Sequence, residues 1–301
     1  MSRPNLVSEL SLRPLCCDGA MGTQLLARGL ASGDCGMLWN IDRPRDVSAI
    51  HAAYAQAGCD LVTTNSFGGT RFALETHGCA GRVAELNRAA ARVARQTAGD
   101  SNWVLGDVGP FGGFLAPVGD VSPAELRPAF AEQIIALLEG GADAILVETM
   151  SDPAEAALGV EAAKSCRPDI PVIATYAFQK TAGGAFRTMT GAAVEIAIRT
   201  AVDAGADIVG ANCGTDLALP DYVELARQIA QHAGSAKVMV QPNAGSPHMR
   251  NGEIVYDASP EQMAKLAGEL LGAGVRIVGG CCGTAPEHLA AMSRAVHGSR
   301  S

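Results

Sequence analysis

At 301 residues, with 48% hydrophobic residues and a formal charge of −8, the chain can bury a sizeable core and is too acidic for a nucleic-acid surface. It has no basic run, no apolar run near the roughly 18–20 residues that span a bilayer, and no charged-then-apolar leader over residues 1–5, so a cytoplasmic protein free of nucleic acid and membrane is expected. Nine cysteines in such a chain suit a reducing compartment better than a disulfide framework.

After a short irregular tail (1–13), short apolar strands alternate with alanine-rich helical stretches, the pattern of a parallel sheet. Strands are expected at 15–20, 60–66, 103–109, 144–150, 172–178, 208–213, 237–243 and 275–280. Helices lie between them, for example at 123–139, 153–164, 192–204, 222–233 and 260–271. Ser122-Pro123, Asp152-Pro153 and Ser259-Pro260 read as helix starts, because a side-chain oxygen accepts an orphan N–H and proline needs no donor there. A phrase recurs before strands: Ala57-Gly-Cys-Asp, Gly141-Ala-Asp and Gly205-Ala-Asp. Its glycine suits the left-handed residue that ends a helix. Eight strand-helix units predict a single-domain (β/α)8 TIM barrel over residues 1–301, with its active site at the C-terminal ends of the strands.

Reading those ends in order gives Asp18, Asn65, Asp107, Glu148, Tyr176, Asn212-Cys213, Asn243 and Cys281-Cys282. Adjacent cysteines on a strand would point apart, but Gly279, Gly280 and Gly283 relax the backbone around them. Cys213, Cys281 and Cys282 then converge from two strand ends, as a Zn²⁺ site with one open coordination position requires. Two other readings stay open at this level: buried free thiols, and a phosphate loop at Gly279-Gly280. Three thiolates around zinc suit the holding of a substrate thiolate better than the activation of water. Asp18 and Glu148 could bind an ammonium group, and backbone N–H groups near Gly19 and Gly22 a carboxylate. Thiol, ammonium and carboxylate together describe a thiol amino acid, and the chemistry implied is alkyl transfer to sulfur.

The phrases Asp18-Gly-Ala-Met-Gly-Thr-Gln, Thr64-Asn-Ser-Phe-Gly, Gly106-Asp-Val-Gly-Pro, Val147-Glu-Thr, Gly210-Ala-Asn-Cys, Pro242-Asn-Ala-Gly and Gly279-Gly-Cys-Cys-Gly-Thr-Ala-Pro-Glu-His resemble the homocysteine S-methyltransferase family. The resemblance runs in order from Leu15 to Val296. It implies a (β/α)8 barrel, Zn²⁺ on Cys213, Cys281 and Cys282, and methionine as product. It further implies a catalytic role for those cysteines with Glu148, and homocysteine binding by Asp18, Gly19, Asn65, Phe67, Glu148, Asn212 and Asn243. Members of the family differ in methyl donor. Some use a small methylated onium compound such as betaine or S-methylmethionine, and others receive the methyl group from a corrinoid protein partner. Onium recognition needs aromatic faces, which Trp39, Phe67, Phe111, Phe114 and Tyr176 could supply in a chain only 4% aromatic. Gly68, directly after Phe67, resembles the corrinoid-dependent members.

Overall fold

The computed structural model describes residues 4–250 and 253–298. Eight parallel strands form the central sheet: β1 (Leu15–Cys16), β2 (Leu61–Thr63), β3 (Trp103–Val108), β4 (Ala144–Met150), β5 (Val172–Tyr176), β6 (Ile208–Asn212), β7 (Lys237–Gln241) and β8 (Ile277–Val278). From β2 to β8 each strand pairs with the next in sequence, and β8 pairs with β1. A parallel bridge from Cys17 to Leu61 joins β1 to β2, so the sheet closes on itself as a (β/α)8 barrel.

Period-two alternation sorts the strand residues into two layers. Leu15, Cys17, Leu61, Trp103, Leu105, Ala144, Leu146, Ile173, Ile208, Met239 and Ile277 fill the bore. The opposite parity, including Val108, Val147, Val172, Ala174, Tyr176, Val209, Val240 and Val278, packs under the helices. Gly210 faces the bore where β6 meets β7; a Cβ there would lie 1.8 Å from the Met239 carbonyl oxygen, so only glycine fits.

The expected helix starts are realised. Ser122 and Ser259 form capping boxes, and Asp152 accepts the Ala154 N–H. The recurring glycine-to-aspartate phrase has one physical meaning in all three copies. Gly58, Gly141 and Gly205 adopt positive φ, reversing the chain out of a helix. The aspartate that follows then accepts a backbone N–H from the preceding strand: Asp60 from Cys16, Asp143 from Val104 and Asp207 from Val172. Each also pairs with a cation, Arg13, Arg95 and Lys164 respectively. The phrase therefore pins strands together at the end of the barrel away from the site.

Three expectations need correction. The tail expected to be irregular contains a helix, Leu6–Leu12, capped by Asn5; its Leu6 and Leu10 plug the bottom of the bore. β1 and β8 are shorter than expected, because the glycine-rich segments after them leave the ladder. Two antiparallel hairpins were not expected, Phe178–Lys180 with Phe186–Thr188, and His248–Arg250 with Glu253–Val255. Among the described residues no helix is long and apolar enough to cross a membrane.

His51 is fully buried, and neither ring nitrogen has a hydrogen-bond partner. Burial lowers its pKa from 6.5 to about 4. The unfolded chain then binds a proton that the folded chain refuses between those values. His51 therefore costs stability as pH falls from about 6.5 to about 4, by about 3 kcal/mol. Urea midpoints at pH 7 and pH 4.5 should separate less in His51→Leu than in the unaltered protein; equal separations would show that His51 does not contribute.

Candidate active site

Cys213, Cys281 and Cys282 all lie beyond the strands, so pleat alternation does not govern where they point. Cys213 follows β6 with φ 54°, a left-handed conformation rare for a residue with a side chain. It is held there by Tyr222, whose hydroxyl donates to the Cys213 carbonyl at 2.6 Å and accepts the Asn243 N–H at 3.3 Å. Cys281 and Cys282 occupy the turn after β8. The Cys281 N–H donates to Pro242 O at 2.8 Å, its carbonyl accepts the Thr284 hydroxyl at 2.7 Å, and the Cys282 carbonyl accepts the Ala244 N–H at 3.0 Å. Gly283 has φ 77°, and a Cβ there would meet the Tyr256 ring at 2.2 Å. That glycine lets the turn tighten beneath Tyr256 and brings both sulfurs to one side.

The three sulfurs lie within 4.8 Å of one another, and Cys213 Sγ is 3.9 Å from Cys282 Sγ. Tetrahedral zinc with bonds near 2.3 Å needs sulfurs roughly 3.8 Å apart, so the donor set fits that ion. The electrostatics agree. Hydrogen bonds from Cys281, then from Cys282, hold the Cys213 thiol down to about 3. The same bonds push Cys281 well above the usual thiol range and Cys282 up to about 11. Alone, the cluster stabilises one thiolate and keeps the other two protonated; a cation at its centre would favour all three thiolates.

Beside the sulfurs, the inner-face parity of β3, β4, β6 and β7 delivers Asp107, Glu148, Asn212 and Gln241 to the mouth of the bore. Asp18 joins them after β1, with Oδ2 accepting the Thr63 N–H and Oδ1 the Thr63 hydroxyl, both at 2.7 Å. Burial raises Asp18 to about 7. Burial, then the charges of Asp18 and Cys213, raise Glu148 to about 8. Burial and the neighbouring Glu148 push Asp107 far above the usual carboxylate range.

The structure thus brings Cys213, Cys281, Cys282, Glu148 and Asp18 to one mouth, and it distributes the other expected residues differently. Asn212 accepts the Thr149 N–H and the Thr175 hydroxyl and donates to the Thr149 hydroxyl at 2.6 Å, leaving its amide 3.9 Å from Cys281 Sγ. Asn243 donates to Gly214 O, and its Oδ1 has no donor. Asn65 spends its amide nitrogen on Gly36 O and Asn40 Oδ1. Gly19 packs against Thr284, Leu289 and Tyr54 with no room for a Cβ. Phe67 is 44% exposed and lies over Gly109. Of the other aromatic residues, Trp39 is already covered by the Arg43 guanidinium at 3.8 Å, Phe111 packs edge-on against Phe72, and Tyr176 is buried among the helices. Tyr222 and Gln241 were not singled out by the sequence reading. For Gln241 the usable signal was parity, two residues beyond Met239 on the bore face; Tyr222 sits in a helix and gave none.

A barrel with three convergent cysteines and buried carboxyls at its C-terminal mouth is the frame of a thiol-activating transferase. A family model described as homocysteine S-methyltransferase matches residues 15–296, and the chain belongs to that family. It is 36% identical over 310 residues to methionine synthase of Mycobacterium tuberculosis and 33% identical over 309 residues to that of Mycobacterium leprae. Each match takes in 97% of this chain but 25% of the relative, so the chain spans about a quarter of the length of these proteins. Its fold matches the metallated form of the homocysteine methyltransferase MmuM from Escherichia coli with a TM-score of 0.76 at 22% identity, over 95% of this chain and 98% of that one.

Tyr222→Phe removes the hydroxyl that joins Cys213 to Asn243 while leaving the ring. Loss of such an outer partner weakens metal binding by about 10–100-fold, a change readable by titration against a chelator. Unchanged metal affinity would mean the Cys213 backbone needs no such brace.

Proposed function

We propose that this protein is a zinc-dependent, cytoplasmic transferase that moves a methyl group onto the sulfur of homocysteine, giving methionine. The observation that carries the reading is the placement of three sulfurs beside Asp18 and Glu148 at one mouth of the barrel. Zinc on Cys213, Cys281 and Cys282 supplies deprotonation of the substrate thiol at neutral pH. Asp18 and Glu148 hold the substrate ammonium. The buried bore floor excludes water, and the sulfur is presented outward to the donor.

The first reading of the donor is a small methylated onium compound, for which Phe67 and Phe114, both about half exposed, offer free aromatic faces. A second reading is delivery by a partner corrinoid protein, for which one observation speaks. Exposed apolar residues stand on four loops at the mouth: Phe67, Phe114 with Val118, Met189, and Met249 with Ile254. Methionine formation is the test. Reduced, zinc-supplied protein is given homocysteine with betaine, S-methylmethionine or methylcobalamin, and product is read by mass spectrometry. Turnover with an onium donor supports the first reading, and turnover with methylcobalamin alone the second. Failure to bind homocysteine at all would overturn the acceptor assignment.

A further inference from the structure

Asp107 sits on the bore face at the end of β3 and is 3% exposed. Its backbone is fixed from three sides. The N–H donates to the Thr64 hydroxyl at 2.9 Å, and the carbonyl accepts the Ser66 hydroxyl at 2.8 Å and the Gln133 amide at 3.1 Å. Its side chain is left differently. Oδ1 receives no N–H or O–H from the fold, and burial and the neighbouring charge of Glu148 disfavour the ionised carboxyl. An acceptor so deeply buried without a donor costs about 1–3 kcal/mol unless something else fills it.

The surrounding groups indicate what that is. The Thr63 hydroxyl is spent on Asp18 and the Thr175 hydroxyl on Asn212. Gln241 Oε1 and Asn243 Oδ1, buried at the same end of the barrel, also lack donors. Burial is the main cause that disfavours the ionised carboxyls of Asp18, Asp107 and Glu148; the charges of Glu148 and Asp18 add to it at Asp107, and those of Asp18 and Cys213 at Glu148. Among the described residues, then, the mouth offers several acceptors and no cation paired to them. Such a surface is matched to a ligand that brings positive charge and several N–H donors.

Resting on the homocysteine reading above, we propose that Asp107 is a third substrate-binding carboxyl. With Glu148 it receives the ammonium group and makes the site selective for thiols that carry a free α-amino group. The test compares homocysteine with 4-mercaptobutanoate, which keeps the thiol and carboxylate and lacks the amine. Calorimetry on reduced, zinc-supplied protein gives both affinities, for the unaltered chain and for Asp107→Asn. The unaltered protein should prefer homocysteine by about tenfold or more, as expected for a charged hydrogen bond. Asp107→Asn should lose most of that ratio through weaker homocysteine binding, with 4-mercaptobutanoate little changed. A ratio that survives in Asp107→Asn overturns the inference while leaving homocysteine as substrate. Should that variant not fold, N-acetylhomocysteine on the unaltered protein decides: binding as tight as that of homocysteine overturns the inference, and loss of binding supports amine recognition, with Asp107→Ser then assigning it to this residue or not. An unaltered protein that binds neither thiol overturns the substrate reading and this inference together.

Discussion

Cys281→Ser is expected to lose the metal and, with it, methyl transfer, while the barrel stays folded. On the proposed zinc reading, three sulfurs would complete a site with one position open to substrate. Removing one leaves Cys213 and Cys282, 3.9 Å apart, as a two-ligand remnant. Even outer partners of a metal site cost about 10–100-fold when removed, so loss of a direct ligand should exceed about 10²-fold in activity. Folding should survive, because the backbone N–H and carbonyl of Cys281 hold it in the turn and are unchanged in the variant. Metal content after dialysis, circular dichroism and methionine formation read the three outcomes separately. A variant that keeps both bound zinc and full activity would remove Cys281 from the ligand set.

Glu148→Gln should leave metal content intact and weaken homocysteine binding by about 10–100-fold, the loss expected when a charged hydrogen bond becomes neutral in a buried site. The pH dependence carries the same assignment. With Asp18 near 7 and Glu148 near 8, both carboxyls are partly protonated in the empty site at neutral pH. An ammonium group favours their ionised forms, so its binding must displace protons. Homocysteine affinity should therefore rise as pH is raised from 6 toward 8, and the rise should be shallower in Glu148→Gln. A pH profile identical in both proteins would separate Glu148 from the ammonium group.

Much of the fold was legible because local rules and the global answer coincide. Strand spacing, proline-led helix starts and the glycine-to-aspartate phrase all serve a parallel barrel. The helix at Leu6–Leu12 was missed, since its two buried leucines have meaning only once there is a bore to plug. The hairpins were not expected because each of their strands is only 3 residues long, too short for an alternation to show.

The site was legible in part. Cysteine is chemically distinctive enough to mark itself, and adjacent cysteines among glycines are rare. Asparagine is not distinctive: Asn65 and Asn212 stand at strand ends like Glu148, yet their amides are engaged by Asn40, Thr149 and Thr175. Aromatic residues gave the weakest guide. Trp39, Phe111 and Tyr176 are all consumed by packing or by a neighbouring cation, which no count of rings reveals.

The sequence alone set the barrel, the three cysteines at its mouth and the acidic character of that mouth, since these follow from residue type, spacing and strand parity. Only the tertiary structure decided which polar groups remain free for a ligand. That depends on hydrogen bonds between residues up to hundreds of positions apart, such as Ala20 with Thr284 across the closing seam and Asn212 of β6 with Thr149 of β4. A side chain's chemistry is written in the chain; whether its donors and acceptors are already satisfied is settled only when the barrel closes around it.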